Sequence, residues 1–322
     1  MRLKETVLTL LMEQRGSYLS GESIANSLGV SRNAVWKAVR QLQKDGHPID
    51  AVRNRGYALS GGADTLCVPG ITRYLRCGGL TLDYQKSVST TMNVCKHAAE
   101  SGTPEGYVII AEQQTDGKGR MGRSFYSPAG TGVYFSILLR PRFSAEQSLL
   151  ITTCAAVACA QAIEAVSGQE AQIKWVNDIY VAGKKVCGIL TEASLDLESG
   201  GLHYAVLGIG INLLPPEDGF PADLREKAGA LFQTAGGDLR CRMVAEVLNQ
   251  FFTLYPQILE KSFLEEYRRR SMLSGQDITV LRDGAELPAT ALGIDDDFAL
   301  IVAYPDGSTA RLSSGDVSVR KK

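Results

Sequence analysis

Gly117 to Arg123 reads Gly-Lys-Gly-Arg-Met-Gly-Arg, three glycines and three cations in seven residues. A backbone that free, carrying Lys118, Arg120 and Arg123, suits a mobile flap. Such a flap can close over a phosphate or carboxylate and supply charge-assisted hydrogen bonds. The stretch also fits the letters of G-x-G-x-x-G, but a dinucleotide-binding turn must open directly into a helix. Here Ser124-Phe125-Tyr126-Ser127-Pro128-Ala129-Gly130 and then a strand follow, which argues against NAD or FAD. No G-K-[ST] occurs, so a Walker loop is excluded. A second constellation is Lys174-Trp175-Val176-Asn177-Asp178, followed by Gly183-Lys184-Lys185-Val186-Cys187-Gly188-Ile189. Asn177-Asp178 reads as a turn between strands. Lys185 enters an apolar strand ending at Glu192, where an ammonium facing inward is costly without an anion. It is either paired within the protein or meets a ligand, and the ligand is the preferred reading. A third is Gly208-Ile209-Gly210-Ile211-Asn212, small residues that permit close backbone approach, with an amide able to bond a sugar or base. His47, His97 and His203 form no ligand pair, and no Ser-His-Asp or Cys-His order stands out.

These groups need elements to hold them. Residues 107–113, 131–139, 171–175, 179–181, 185–192 and 202–208 read as strands. Residues 90–101 and 144–167 read as helices, and 242–272 as one helical stretch. From about residue 275 the chain alternates and turns, with Arg282-Asp283-Gly284 and Pro305-Asp306-Gly307 as hairpin signals. That tail reads as a small all-β unit of about five strands.

Charge is unevenly spread. Residues 1–60 hold nine Lys/Arg against five Asp/Glu, a net +4; the remainder hold 25 against 30, a net −5. A small basic module is therefore joined to a larger, mildly acidic one. In the basic module Leu3, Val7, Leu8, Leu10 and Leu11 recur at helical spacing, and Gly16 ends that helix. Ser20 caps a second helix with Ile24, Ala25 and Leu28 inward, and Gly29 stops it. Ser31 caps a third, expected to bury Val35, Trp36, Val39 and Leu42. Residues 49–59 then read as a hairpin around Asn54-Arg55-Gly56. This is a helix-turn-helix with a wing. Ser31, Arg32, Asn33, Lys37 and Arg40 of the third helix, with Arg53 and Arg55 of the wing, are the candidate DNA contacts. A helix-turn-helix usually binds as a dimer.

The whole chain has 322 residues, 34 Lys+Arg and 35 Asp+Glu, so it is not basic throughout like a nucleic-acid coat. Hydrophobic residues are 44%, which excludes a mostly disordered chain. Seven cysteines, none spaced C-x-x-C, argue against a zinc site or disulfide framework and for a cytoplasmic protein with reduced thiols. Glu5 and Glu13 interrupt the N-terminal apolar pattern, unlike a signal peptide. The longest uncharged run, 147–163, is shorter than a bilayer span, so no membrane partner is expected.

Five stretches together resemble the bifunctional biotin–protein ligases that double as biotin operon repressors. They are LSGESIANSLGVSRNAVWKAVRQLQKDG, SVSTT, AEQQTDGKGRMGRSFYSP, KWVNDIYVAGKKVCGILTE and LGIGINL, in the family's order across essentially the whole chain. The resemblance implies an α+β multidomain fold. It would comprise a winged helix-turn-helix (1–62), a central α/β ligase domain of the class II synthetase-like kind with a mixed sheet (63–273) and an SH3-like β domain (274–322). It implies a biotin site of Ser89, Thr90, Thr91, Gln114, Lys118, Gly119 and Arg120. Lys185 would touch both biotin and the adenylate phosphate. Asn177, Asp178, Gly210, Asn212 and Arg320 would lie near the nucleotide. Lys185, Arg120 and Asp178 would be the catalytic groups, Asp178 receiving or orienting the proton of an attacking amine. Biotin, ATP and Mg2+ are implied, with a biotin carboxyl carrier protein as acceptor, operator DNA as partner and a homodimer on adenylate binding. Lys118 and Met121 stand where the family often has Arg, and Val176 where it usually has Pro. A ligand-sensing repressor without ligase activity and a lipoate–protein ligase are the alternatives.

Overall fold

The computed structural model describes residues 3–60, 64–195, 201–282, 285–313 and 316–319. Its contacts gather into two units, Met1–Leu75 with Thr234–Ala245, and Arg76–Gln233 with Glu246–Lys322.

The first unit contains α1 (Leu3–Glu13), α2 (Gly21–Leu28), α3 (Arg32–Lys44), the hairpin β1 (Ile49–Val52) and β2 (Gly56–Leu59), and the short α4 (Val68–Thr72). Ser20 Oγ accepts from the Ser23 amide at 2.9 Å and Ser31 Oγ from the Ala34 amide at 3.2 Å, so both expected caps form. Val7, Leu8, Leu11, Ile24, Val35, Val39, Leu42 and Leu59 make one core. Trp36 is not part of its buried face, as the sequence reading had it: it is 47% exposed. The buried stripe of α3 is Val35, Ala38, Val39 and Leu42, and Trp36 sits one residue, some 100°, off that stripe. The wing is tied down through Leu19, whose N–H and C=O both pair with Tyr57 at 2.8 Å. Gly56 has φ 107°, and a Cβ there would fall 2.0 Å from the Leu19 carbonyl oxygen, so no other residue fits. The 64–75 segment is gripped by Arg240, which bonds the Asp64 carboxylate and carbonyl.

The second unit holds a seven-stranded mixed sheet, ordered β3-β4-β5-β9-β8-β7-β6. Its strands are β3 (Thr81–Val88), β4 (Tyr107–Gln114), β5 (Gly132–Leu139), β6 (Gln172–Lys174), β7 (Asp178–Val181), β8 (Lys184–Leu195) and β9 (Leu202–Asn212). Only β3 and β4 are parallel. The central strands β5 and β9 are buried almost throughout, as their apolar runs require. Helix α5 (Thr91–Glu100) packs on β4, β5 and β9. Helix α6 (Leu149–Ser167), expected to start at 144, is preceded by a 3-10 turn over Ala145–Ser148. It is long and apolar enough to cross a membrane, and most of it is buried in this fold.

The expected helix over 242–272 is broken. Helix α7 (Leu239–Leu254) gives way to a 3-10 turn, Tyr255–Glu260, before α8 (Leu264–Arg270). Pro256 has no N–H to donate back into α7, which explains the break. Arg270, on α8, is almost fully buried and forks onto Glu164 of α6 at 2.6 and 2.7 Å while also bonding Glu266 and the Ala171 carbonyl. The tail forms five antiparallel strands, β10 (Asp277–Arg282), β11 (Ala285–Ile294), β12 (Leu300–Ala303), β13 (Thr309–Leu312) and β14 (Asp316–Val319), ordered β13-β12-β11-β10-β14. The Pro305-Asp306-Gly307 turn joins β12 to β13. Asp283, Gly284 and Arg320 lie outside the described residues. All seven cysteines are unpaired thiols.

Candidate functional site

A cavity of about 1160 Å³ opens in the second unit between the 117–128 loop and the sheet. Its floor includes two glycines. Gly188 on β8 and Gly210 on β9 are paired directly across the sheet. The Phe125 ring lies on both: a Cβ would come within 2.5 Å of it at Gly210 and 3.0 Å at Gly188. Phe125 also meets Tyr134 edge-on, with ring centroids 6.4 Å apart.

The loop above is a closed ring of backbone bonds. The Gly119 amide donates to the Arg123 carbonyl at 2.7 Å, and the Phe125 amide to the Gly117 carbonyl at 2.8 Å. Only a three-residue 3-10 turn, Arg120–Gly122, forms inside it, so no helix opens from the glycines. The tip residue Met121 is 74% exposed. Arg120 reaches inward, its Nη1 donating to Asn177 Oδ1 at 3.0 Å. Asn177 is itself fixed, its Nδ2 donating to the Ile189 carbonyl at 2.6 Å. The flap cation is thus anchored through Asn177 to β8.

The turn carrying Asn177 and Asp178 is pinned from outside. Trp175 Nε1 donates to the Phe298 carbonyl at 2.9 Å, and the buried Tyr267 hydroxyl donates to the Val176 carbonyl at 3.1 Å. Burial pushes the Tyr267 phenol well above its usual range, so it stays a donor. Lys185 Nζ stands 2.6 Å from Asp178 Oδ1, and both line the cavity. The sequence posed an internal partner against a ligand; the structure supplies the partner. A register shift between β7 and β8 skips Val186 and leaves Lys185 opposite Tyr180, on the same face as Asp178. The Lys185 amide donates to the Lys227 carbonyl, and its carbonyl accepts from the Gly229 amide.

A polar chain closes the other end. Gln114 Oε1 accepts from the Thr91 amide and hydroxyl at 2.9 and 3.1 Å, and Gln114 Nε2 donates to Ser127 Oγ at 3.0 Å. Ser136 Oγ donates to Thr91 Oγ1 at 2.8 Å. Thr90 caps α5 through Met92. Lys118 Nζ lies 3.5 Å from Asn93 Oδ1.

Thr90, Thr91, Gln114, Lys118, Gly119, Arg120, Asn177, Asp178, Lys185 and Gly210 therefore all line one cavity. Two expected residues do not. Ser89 is exposed outside it, and Asn212 is buried at the end of β9. Sequence reasoning missed Phe125, Ser127 and Lys227, which do line it. Nothing in the sequence marked Phe125, because the pairing of Gly188 with Gly210 beneath its ring follows from the register of the sheet.

In the first unit, Arg32, Asn33, Lys37 and Arg40 are exposed on α3, and Arg53 and Arg55 on the wing. The Arg55 guanidinium stacks 4.4 Å from the Tyr18 ring centroid. Ser31 spends its hydroxyl on the cap. No group of three or more His, Cys, Asp or Glu among the described residues is placed to hold a metal.

The chain matches the HTH domain over residues 4–58, the Biotin/lipoate A/B protein ligase family over 84–212 and the Biotin protein ligase C terminal domain over 273–320. A solved biotin protein ligase from Aquifex aeolicus, in complex with biotin and ATP, superposes with a TM-score of 0.62 at 26% identity. It covers 75% of this chain and 99% of that one. Flap, mixed sheet and C-terminal β domain together define the ligase class. The Bifunctional ligase/repressor BirA of Bacillus spizizenii is 32% identical over 98% of both chains. That of Escherichia coli is 25% identical over 95% of this chain. With this coverage, winged helix included, the chain belongs to the biotin protein ligases of the bifunctional ligase/repressor kind.

Proposed function

We propose that the second unit joins biotin to ATP as biotinyl-5′-AMP and then passes biotin to a lysine of a biotin carboxyl carrier protein. The observation that carries this is convergence: Arg120, Lys185 and the Asn177-Asp178 turn come from three separate stretches and meet in one cavity. In the first step the biotin carboxylate attacks the α-phosphate and pyrophosphate leaves. Two anions must approach, so fixed cations aimed at the developing charge are worth ~10²–10³ in rate each, by analogy with oxyanion donors. Lys185 and Arg120 fill that role. Thr90, Thr91 and Gln114 offer hydrogen bonds to the biotin ring, while Lys118 and Gly119 cover it. Asn177, Asp178 and Gly210 face the nucleotide. In the second step the carrier amine attacks the mixed anhydride, and Asp178 takes or orients its proton. The flap shields the anhydride from water.

Magnesium carried by ATP requires only one or two protein carboxylates beside the phosphates. Asp116 and Asp223 line the cavity and suit that demand. When bound, the ion would neutralise part of the phosphate charge.

The first unit is read as an operator-binding module. Arg32, Asn33, Lys37 and Arg40 would meet bases and phosphates, and Arg53 and Arg55 the backbone beside the wing. Adenylate would favour a homodimer that presents two such modules to a two-fold site. The test is pyrophosphate release from ATP and biotin with an apo carrier domain as acceptor and lipoate as competitor. Biotin-dependent release with labelled carrier supports the reading. Tight biotin binding without release would leave a ligand-sensing repressor, and preference for lipoate would make this a lipoate ligase.

A further inference from the structure

Trp36 has no place in the core of the first unit. It stands 47% exposed on α3, in a groove of about 480 Å³ lined by Trp36, Arg40, Gln43 and Lys44. The Arg40 guanidinium lies 5.8 Å from the centre of the indole. Gln43 is held by its Nε2, which donates to the Ile49 carbonyl at 2.7 Å, fixing one wall to the wing. Arg40 and Lys44 are both on the surface. One flat apolar wall beside two cations and an amide oxygen does not suit an apolar peptide or an extended acidic one. It suits a unit whose one side is apolar and whose neighbour is a single anion. A deoxyribose with its phosphate has that chemistry.

Resting on the reading of this unit as DNA-binding, we propose that the Trp36–Arg40–Gln43–Lys44 groove is a clamp for one sugar-phosphate of the DNA backbone. The indole lies on the deoxyribose, and Arg40 and Lys44 bond the phosphate oxygens. Binding here is independent of sequence, and it sets the angle at which the N-terminal end of α3 meets base edges. Trp36, Gln43 and Lys44 join the contact set, and the basic face of the helix runs its full length.

The chain supplies its own reporter. It has two tryptophans, and the other, Trp175, is 4% exposed. Acrylamide quenching of the full-length protein therefore reads Trp36. The probe is a mixed-sequence duplex of about three helical turns, which needs no operator. The clamp predicts that duplex shields Trp36 from acrylamide. Trp36→Ala weakens binding about tenfold at unchanged salt dependence, with Trp36→Phe between, since an apolar wall carries no counterion. Arg40→Ala and Lys44→Ala each lower the slope of log affinity against log salt by about one. Unaltered circular dichroism and melting of the variants exclude misfolding. Wild-type protein that binds duplex with Trp36 as accessible as before overturns the clamp and leaves DNA binding standing. Shielding that follows protein concentration instead of DNA assigns the groove to a second copy of the chain and overturns it too. No binding at low salt removes the DNA reading and the clamp together.

Discussion

Lys185 and Asp178 neutralise each other across 2.6 Å, and a bound phosphate would have to replace that carboxylate as the lysine's partner. Removing the lysine has a double effect, because it takes a cation from the reaction and leaves Asp178 uncompensated beside it. Lys185→Ala should therefore cut adenylate formation by at least ~10²-fold, read as pyrophosphate release in a single turnover. Near-normal release would refute its role. Arg120 acts differently, since its anchor Asn177 belongs to the turn between β6 and β7, tied to β8, while its own backbone belongs to the flap. Arg120→Gly should let adenylate escape faster more than it slows its formation. Washing out labelled adenylate measures this, and retention equal to the wild type would count against it.

At the scale of elements, the wing depends on one glycine. Gly56→Ala has no room against the Leu19 carbonyl, so the hairpin must leave its place, taking Arg53 and Arg55 with it. Duplex affinity should fall while biotin transfer persists; equal loss of both would show that the wing serves the ligase. The helices and wing of this module were legible because caps, apolar periods and turn residues agree there. Trp36 was not, since hydrophobicity alone assigned it inward and only the register of Val35, Ala38, Val39 and Leu42 decides. In the second unit six of the seven sheet strands were legible, and so was the Gly-rich loop, but the edge strand β3 was not. The floor was not: nothing in the sequence says that Gly188 and Gly210 are opposite each other, because register across β8 and β9 is set by the whole sheet. Nor did periodicity show that Asp178 would hold Lys185, since a bulge, not a regular ladder, brings them together.

At the scale of the molecule, the Arg270 cluster joins α6, α8 and the β6 entrance. Hydrogen bonds from Arg269 and then Arg270 hold the Glu266 carboxyl down to about 2, and Arg270 lowers Glu164. Their folded values lie below the unfolded ones, so their contribution is present above the ordinary carboxylate range, ~4.3, and is lost as pH falls towards 2. The melting temperature should drop over that window. Arg270→Ala should destabilise by ~3–5 kcal/mol at neutral pH and flatten the acid slope, read by thermal melts. A variant as stable as the wild type would contradict the cluster's importance. If adenylate and DNA are coupled through a dimer, the coupling must be reciprocal. Adenylate should tighten duplex binding by the same factor by which duplex tightens adenylate binding, measured by titrating each with the other present. Unequal factors at equilibrium would rule out that linkage.

The glycine floor has a consequence for inhibition. Because the Phe125 ring lies on Gly188 and Gly210, a compound entering there rests on the ring and not on the main chain beneath it. Any replacement of either glycine collides with Phe125 before it meets the compound. Escape from such a compound would have to arise in the flap, at the exposed Met121 and not at Arg120, which is tied to Asn177.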